Sequence, residues 1–142
     1  ISEYQIWESY HAGADAILLI ADALEQDQMN TLYELACELG LHILLETHDL
    51  DLIPTITPLN PEIVGINCRN LKNMETDIQR FSQAIDLLPP NSIKVAESGI
   101  FENNHLKFIE TLGFDAALIG TSLMKTGDPG NALAHLLRRG NT

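Results

Sequence analysis

Four places in this sequence set polar or glycine residues directly behind a short apolar run, and each set has chemistry within its reach. After "HILL" come Glu46, Thr47 and His48, and after "EIVGI" come Asn67 and Arg69. After "SIKVA" come Glu97, Ser98 and Gly99, and after "AALI" come Gly120, Thr121 and Ser122. Glu46 follows Ile43, Leu44 and Leu45, so it should point inward at the top of a sheet. Burial there raises a carboxyl pKa and suits it to general acid–base work. The plainer alternative is a surface carboxylate that opens the next helix.

Asn67 and Arg69 stand one residue apart on the same rim. They read either as a turn residue with a surface ion pair, or as a guanidinium fork for a carboxylate beside an amide that orients a hydroxyl or carbonyl. Ser98–Gly99 and Gly120–Thr121 form a pair of glycine corners. A glycine after a strand lets backbone approach a ligand closely, and the helix start that follows offers unpaired N–H donors to an anion. Together they read as a phosphate site. Glu97 is either a second acid or a buried structural carboxylate, while His48 reads as structural and Asp49 as a helix N-cap.

These groups need a common frame. Strand-like runs recur at 16–20, 42–46, 62–66, 92–97 and 116–120, separated by segments of helical spacing. In "EQDQMNTLYELACELG" the apolar residues Met29, Leu32, Leu35, Ala36 and Leu39 share a face, and Gly40 ends the helix. "METDIQRFSQAIDLLPP" repeats this with Ile78, Phe81, Ala84, Ile85 and Leu88, and "NNHLKFIETLGF" does so with Gly113 as terminator. "ITPLNPE" is too rich in proline for a long helix. Short runs apolar on both faces, alternating with helices, predict parallel strands covered by helices. A weak internal repeat, "AGADAILLI" at 12–20 and "LGFDAALIG" at 112–120, fits four strand–helix units between its copies. In such an arrangement the carboxyl ends of all strands share one rim, where α/β barrels and sheets collect their active groups.

The chain has 142 residues, 45% of them hydrophobic, a net charge of −12 and a pI near 4.5. That is one folded domain over 1–142, with the wrong sign for nucleic-acid backbone. Local N–H groups and single cations still accommodate a small anion. Cys37 and Cys68 form no CxxC pair; Cys37 reads as a packed thiol, Cys68 as partly open, and a reducing cytoplasm suits both. The five histidines lack metal-ligand spacing, and no apolar run is long enough to span a membrane.

The motifs "AGADAILLI", "LLETHD", "VGINCRNLK", "VAESGI" and "LIGTSLMK", in this order and over essentially the whole chain, resemble indole-3-glycerol-phosphate synthase. That resemblance implies a (β/α)8 barrel that uses no cofactor or metal. It closes the ring of a carboxyphenylamino deoxyribulose phosphate in tryptophan biosynthesis, losing carbon dioxide and water. It also implies roles: Glu46 as general acid–base, Asn67 and Arg69 as substrate-binding pair with the arginine facing the anthranilate carboxylate, and Glu97 and Ser98 as the active-site Glu-Ser. Ser98, Gly99, Gly120 and Thr121 match the phosphate cradle. The chain departs from the family at Cys68, where asparagine is common, and its lysines Lys72, Lys94, Lys107 and Lys125 do not match the family's catalytic lysines.

By resemblance those lysines belong to strands preceding residue 1, so the chain reads as the carboxyl-terminal five-strand part of a barrel that usually takes about 250 residues. Five parallel strands cannot close, which predicts self-association or pairing with the missing half. The absence of the lysines that the resemblance calls for implies negligible ring-closing activity for the chain alone. Two other functions stay open at this level. One is another phosphate-binding barrel enzyme; the other is a non-catalytic half-barrel partner.

Overall fold

The computed structural model describes residues 1–70, 74–125 and 127–138. Lys72 and the end of the "NLK" motif lie outside the described residues. All five apolar runs are strands: β1 (Ala16–Ile20), β2 (His42–Thr47), β3 (Ile63–Asn67), β4 (Ile93–Glu97) and β5 (Ala116–Leu118). They form one parallel sheet whose spatial order is the chain order. The helices are α1 (Glu3–His11), α2 (Gln26–Glu38), α3 (Ile53–Ile56), α4 (Arg80–Ala84), α5 (Asn103–Leu112), α6 (Thr121–Met124) and α7 (Pro129–Leu137). This is an open section of a (β/α)8 barrel.

The two faces of the sheet differ sharply. Successive strand residues point to opposite sides, and on the helix-covered side Leu19, Ile43, Leu45, Val64, Ile66 and Ala96 are all buried. Met29, Leu32 and Ala36 of α2 and Phe81 of α4 pack onto that side, with Phe81 and Phe114 edge to face at 5.3 Å. On the other side the register aligns Leu18 with Leu44 and Ile63 with Ile93. There Leu18 is 42% exposed, Ile93 44% and Leu118 45%. Closing a barrel would turn this second face into its interior.

Helix ends follow the expected chemistry. Gly40 (φ +72°) and Gly113 (φ +96°) stop α2 and α5 in the left-handed conformation. The repeat is real in space, since each copy leads from a helix end through a left-handed glycine into a strand, β1 or β5. The proline-rich 53–61 segment holds only the four-residue α3 and a turn of 3-10 helix, as its prolines dictate.

Three expectations change. The helix read from Met74 onward begins only at Arg80, because Arg69 and Thr76 pair as an isolated antiparallel bridge and Met74 takes a positive φ of 64°. Phe81, Ala84 and Leu88 are buried even so. Cys37 is exposed rather than packed, since α2 buries the neighbouring stripe of Met29, Leu32, Tyr33 and Ala36. Cys68 is buried rather than open, and desolvation lifts its thiol pKa to about 11.

Candidate functional site

The strand register decides which polar groups can meet. Ile20, Glu46 and Gly65 stand side by side on β1, β2 and β3, and Asn67 stands beside Glu97 on β3 and β4. Alternation puts Glu46, Gly65, Asn67 and Glu97 on the open face, at its carboxyl end. Glu46 and Glu97 are 7% and 3% exposed, unusually low for carboxylates. Asn67 Nδ2 donates to Glu46 Oε1 at 2.9 Å, and its own Oδ1 accepts from the backbone N–H of Arg69 at 3.0 Å. The amide therefore ties the carboxylate to the loop that carries the guanidinium.

Burial and the neighbouring Glu46 carboxyl push Glu97 from 4.5 up to about 8, with desolvation the larger cause. Its Oε1 is buried without a hydrogen-bond partner among the described residues. Two adjoining carboxyls in a dry site cannot both ionise cheaply, so near neutrality Glu97 carries a proton. Such a pair can give a proton from one oxygen and take one at another.

Arg69 is half-buried, and its guanidinium makes one long contact, 3.4 Å to the Met74 carbonyl. It has no carboxylate partner among the described residues, so its fork is open to a ligand. Beside it lies a cleft of about 340 Å³ whose walls include Arg69, Ser98, Gly99, Gly120 and Thr121. Both glycine corners thus open into one space. Ser98 and Gly99 take consecutive positive φ values of 66° and 67°, a strained setting for the serine. The backbone N–H groups of Ser98, Gly99, Gly120 and Thr121 donate to no carbonyl among the described residues. Ser122 Oγ donates to the Ile100 carbonyl at 2.9 Å and ties the two loops together. Gly99 is doubly required: besides its φ, a β-carbon there would stand 2.5 Å from Cys68 Sγ.

Asp49 caps a 3-10 turn by accepting from the Asp51 N–H. His48 lies 2.6 Å from Asp22, whose carboxylate also accepts the His48 and Asp49 backbone N–H groups. Its surroundings fit a structural role, and among the described residues no cluster has metal-ligand composition. At the opposite ends of the strands the polar groups are mutually satisfied: His42 with Glu62 at 3.0 Å, and Asp115 with the Lys94 N–H at 2.8 Å. Among the described residues, the buried unpartnered Glu97 Oε1 and the open Arg69 fork lie at the carboxyl ends of the strands. Gly65, passed over in reading its strand, is the member of this face that sequence reasoning missed. Its signal was a lone glycine inside an otherwise branched, apolar strand.

The family model for indole-3-glycerol phosphate synthase matches residues 1–136. An indole-3-glycerol phosphate synthase from Bacteroides thetaiotaomicron is 41% identical over 138 residues, covering 97% of this chain and 53% of that protein. One from Bacillus licheniformis is 41% identical over 126 residues, covering 88% and 50%. The chain spans about half the length of these curated relatives. Among solved structures, 3-hexulose-6-phosphate synthase from Salmonella typhimurium superposes with a TM-score of 0.76 at 13% identity, over 94% of this chain and 64% of that one. Thiamine phosphate pyrophosphorylase from Pyrococcus furiosus does so with 0.70 at 14%, over 92% and 61%. At such identities these two speak for the fold alone. The sequence matches carry the assignment: the chain belongs to the indole-3-glycerol phosphate synthase family.

Proposed function

We propose that this chain forms the carboxyl-terminal part of an indole-3-glycerol phosphate synthase barrel, one domain whose remaining strands complete the active site. The reaction is the decarboxylating ring closure of 1-(2-carboxyphenylamino)-1-deoxyribulose 5-phosphate, carried out in the cytoplasm without metal or cofactor. One observation supports this above all others: Glu46, Asn67, Glu97 and the open Arg69 fork share a rim with two glycine corners whose N–H groups donate to no carbonyl among the described residues. A substrate with a carboxylate at one end and a phosphate at the other matches that layout.

In this reading the phosphate sits on the N–H groups of Ser98, Gly99, Gly120 and Thr121, which tolerate an anion despite the chain's charge of −12. Arg69 takes the anthranilate carboxylate in a bidentate grip. Glu46, oriented by Asn67, moves the proton at the reacting carbon chain, and Glu97 is the neutral carboxyl able to donate to a developing oxyanion. By the family resemblance the lysine acid comes from the preceding strands; Lys94 is bound to the Pro90 and Ser92 carbonyls at the far end of the sheet.

The test is binding by a protein in which this chain is joined to the rest of its barrel. Arg69→Ala should weaken anthranilate about tenfold to a hundredfold, the scale of a lost charge-assisted contact. Inorganic phosphate should bind as before. Equal loss of both ligands, or of neither, rejects the assignment of Arg69.

The open sheet face sets a second expectation. Leu18, Ile93 and Leu118 are exposed on a face that the relatives' other half would cover. The 142-residue chain by itself should therefore self-associate at micromolar concentration. A light-scattering mass of a stable monomer would contradict this.

A further inference from the structure

Glu46 and Glu97 stand on strands that are not neighbours, since β3 runs between them. Two strand spacings separate their backbones by about 9–10 Å. Carboxyls on such strands meet only if nothing rises from the strand between them at that level. The residue in register with Glu46 on that strand is Gly65. Glu97 is rooted two residues beyond the level of Gly65, opposite Asn67, and leans back across β3. A β-carbon placed on Gly65 would fall on Glu97 Oε1, with Glu97 Cδ 3.0 Å and Leu44 Cδ1 3.2 Å away. The backbone of Gly65 is ordinary strand, so conformation is not why glycine stands there. A glycine inside a strand weakens it relative to residues with side chains, and marks a close approach.

We propose that Gly65 is a positioning residue: the side chain it lacks is the channel through which Glu97 crosses β3 to meet Glu46. This deepens the proposed function and rests on it for the catalytic meaning of the pair. The geometry of the channel stands apart from that reading. Support comes from the titration state of Glu97, raised to about 8 by burial first and then by Glu46. Among the described residues Glu46 is the ionisable group acting on it; Gly65 and Asn67 on β3 and Leu118 on β5 carry no titratable side chain. A methyl group at 65 would push the Glu97 carboxyl out of the channel towards solvent, away from both causes.

The experiment follows the side-chain carboxyl carbons of 13C-glutamate-labelled chain by NMR across pH 4 to 10. One signal should titrate near pH 8, and its absence in Glu97→Gln assigns it. In Gly65→Ala that titration should move down by at least one pH unit while the chain keeps its circular-dichroism spectrum. An unmoved titration overturns the proposal. Should Gly65→Ala fail to fold, Gly65→Ala/Glu97→Ala decides. With the carboxyl gone the methyl has room, so the double variant should fold and melt no lower than Glu97→Ala. A double variant that also fails to fold overturns the proposal. None of these readouts needs turnover or substrate, so a failed Arg69→Ala test leaves the channel standing, and a failed titration leaves the substrate reading standing.

Discussion

Raising the pH from 5 to 9 should cost this chain stability, and Glu97→Gln should remove most of that cost. Glu97 titrates at 4.5 as a free group and at about 8 in its buried place beside Glu46. The folded chain therefore holds a proton that the unfolded chain releases. A raised pKa contributes stability that is fully present below pH 4.5 and is lost as pH rises through 8. The ceiling for one proton is about 1.4 kcal/mol per pH unit across that window. Urea midpoints at a series of pH values measure it. General repulsion in a chain of net charge −12 also grows with pH, so the difference between wild type and Glu97→Gln is the informative quantity. The amide copies the shape of the neutral acid and has no proton to lose. Parallel pH profiles for the two proteins would show that Glu97 ionises freely in the fold.

The second large effect concerns chemistry. In the protein joined to the rest of its barrel, Glu46→Gln should lower kcat by about 10² to 10⁴, the usual worth of a positioned general acid–base group. KM should change little. Glutamine keeps the size of the side chain and the oxygen that accepts from Asn67 Nδ2, so the amide stays in place to orient substrate. Steady-state kinetics under saturating substrate separates the two parameters. A kcat within tenfold of wild type would move the proton-transfer role to another group, with Glu97 the nearest alternative.

Much of the frame was legible because parallel strands that are apolar on both faces write themselves as short apolar runs. All five runs became strands, with ends within a residue or two of the expected limits. The rim was legible for the same reason: Glu46, Asn67 and Glu97 interrupt runs that otherwise need no polar group. What escaped depends on neighbours across strands or loops. Cys68 looked open between two polar residues, yet its thiol turns beneath Gly99, which is 31 positions further along. His48 owes its setting to Asp22, 26 residues earlier. The late start of α4 reflects the bridge between Arg69 and Thr76, a pairing that helical periodicity in the same residues masks. Gly65 resembles any strand glycine until β2 and β4 are set on either side of it.

The strands lie in space in the order in which they are written, each hydrogen-bonded to the one made just before it. No later strand must be threaded between two earlier ones, so the sheet can grow at one margin while the chain emerges from the ribosome. A cut between any two of these strand–helix units would leave each piece with an unbroken ribbon and only one seam to reseal. Architecture of this kind lends itself to assembly from separately encoded parts.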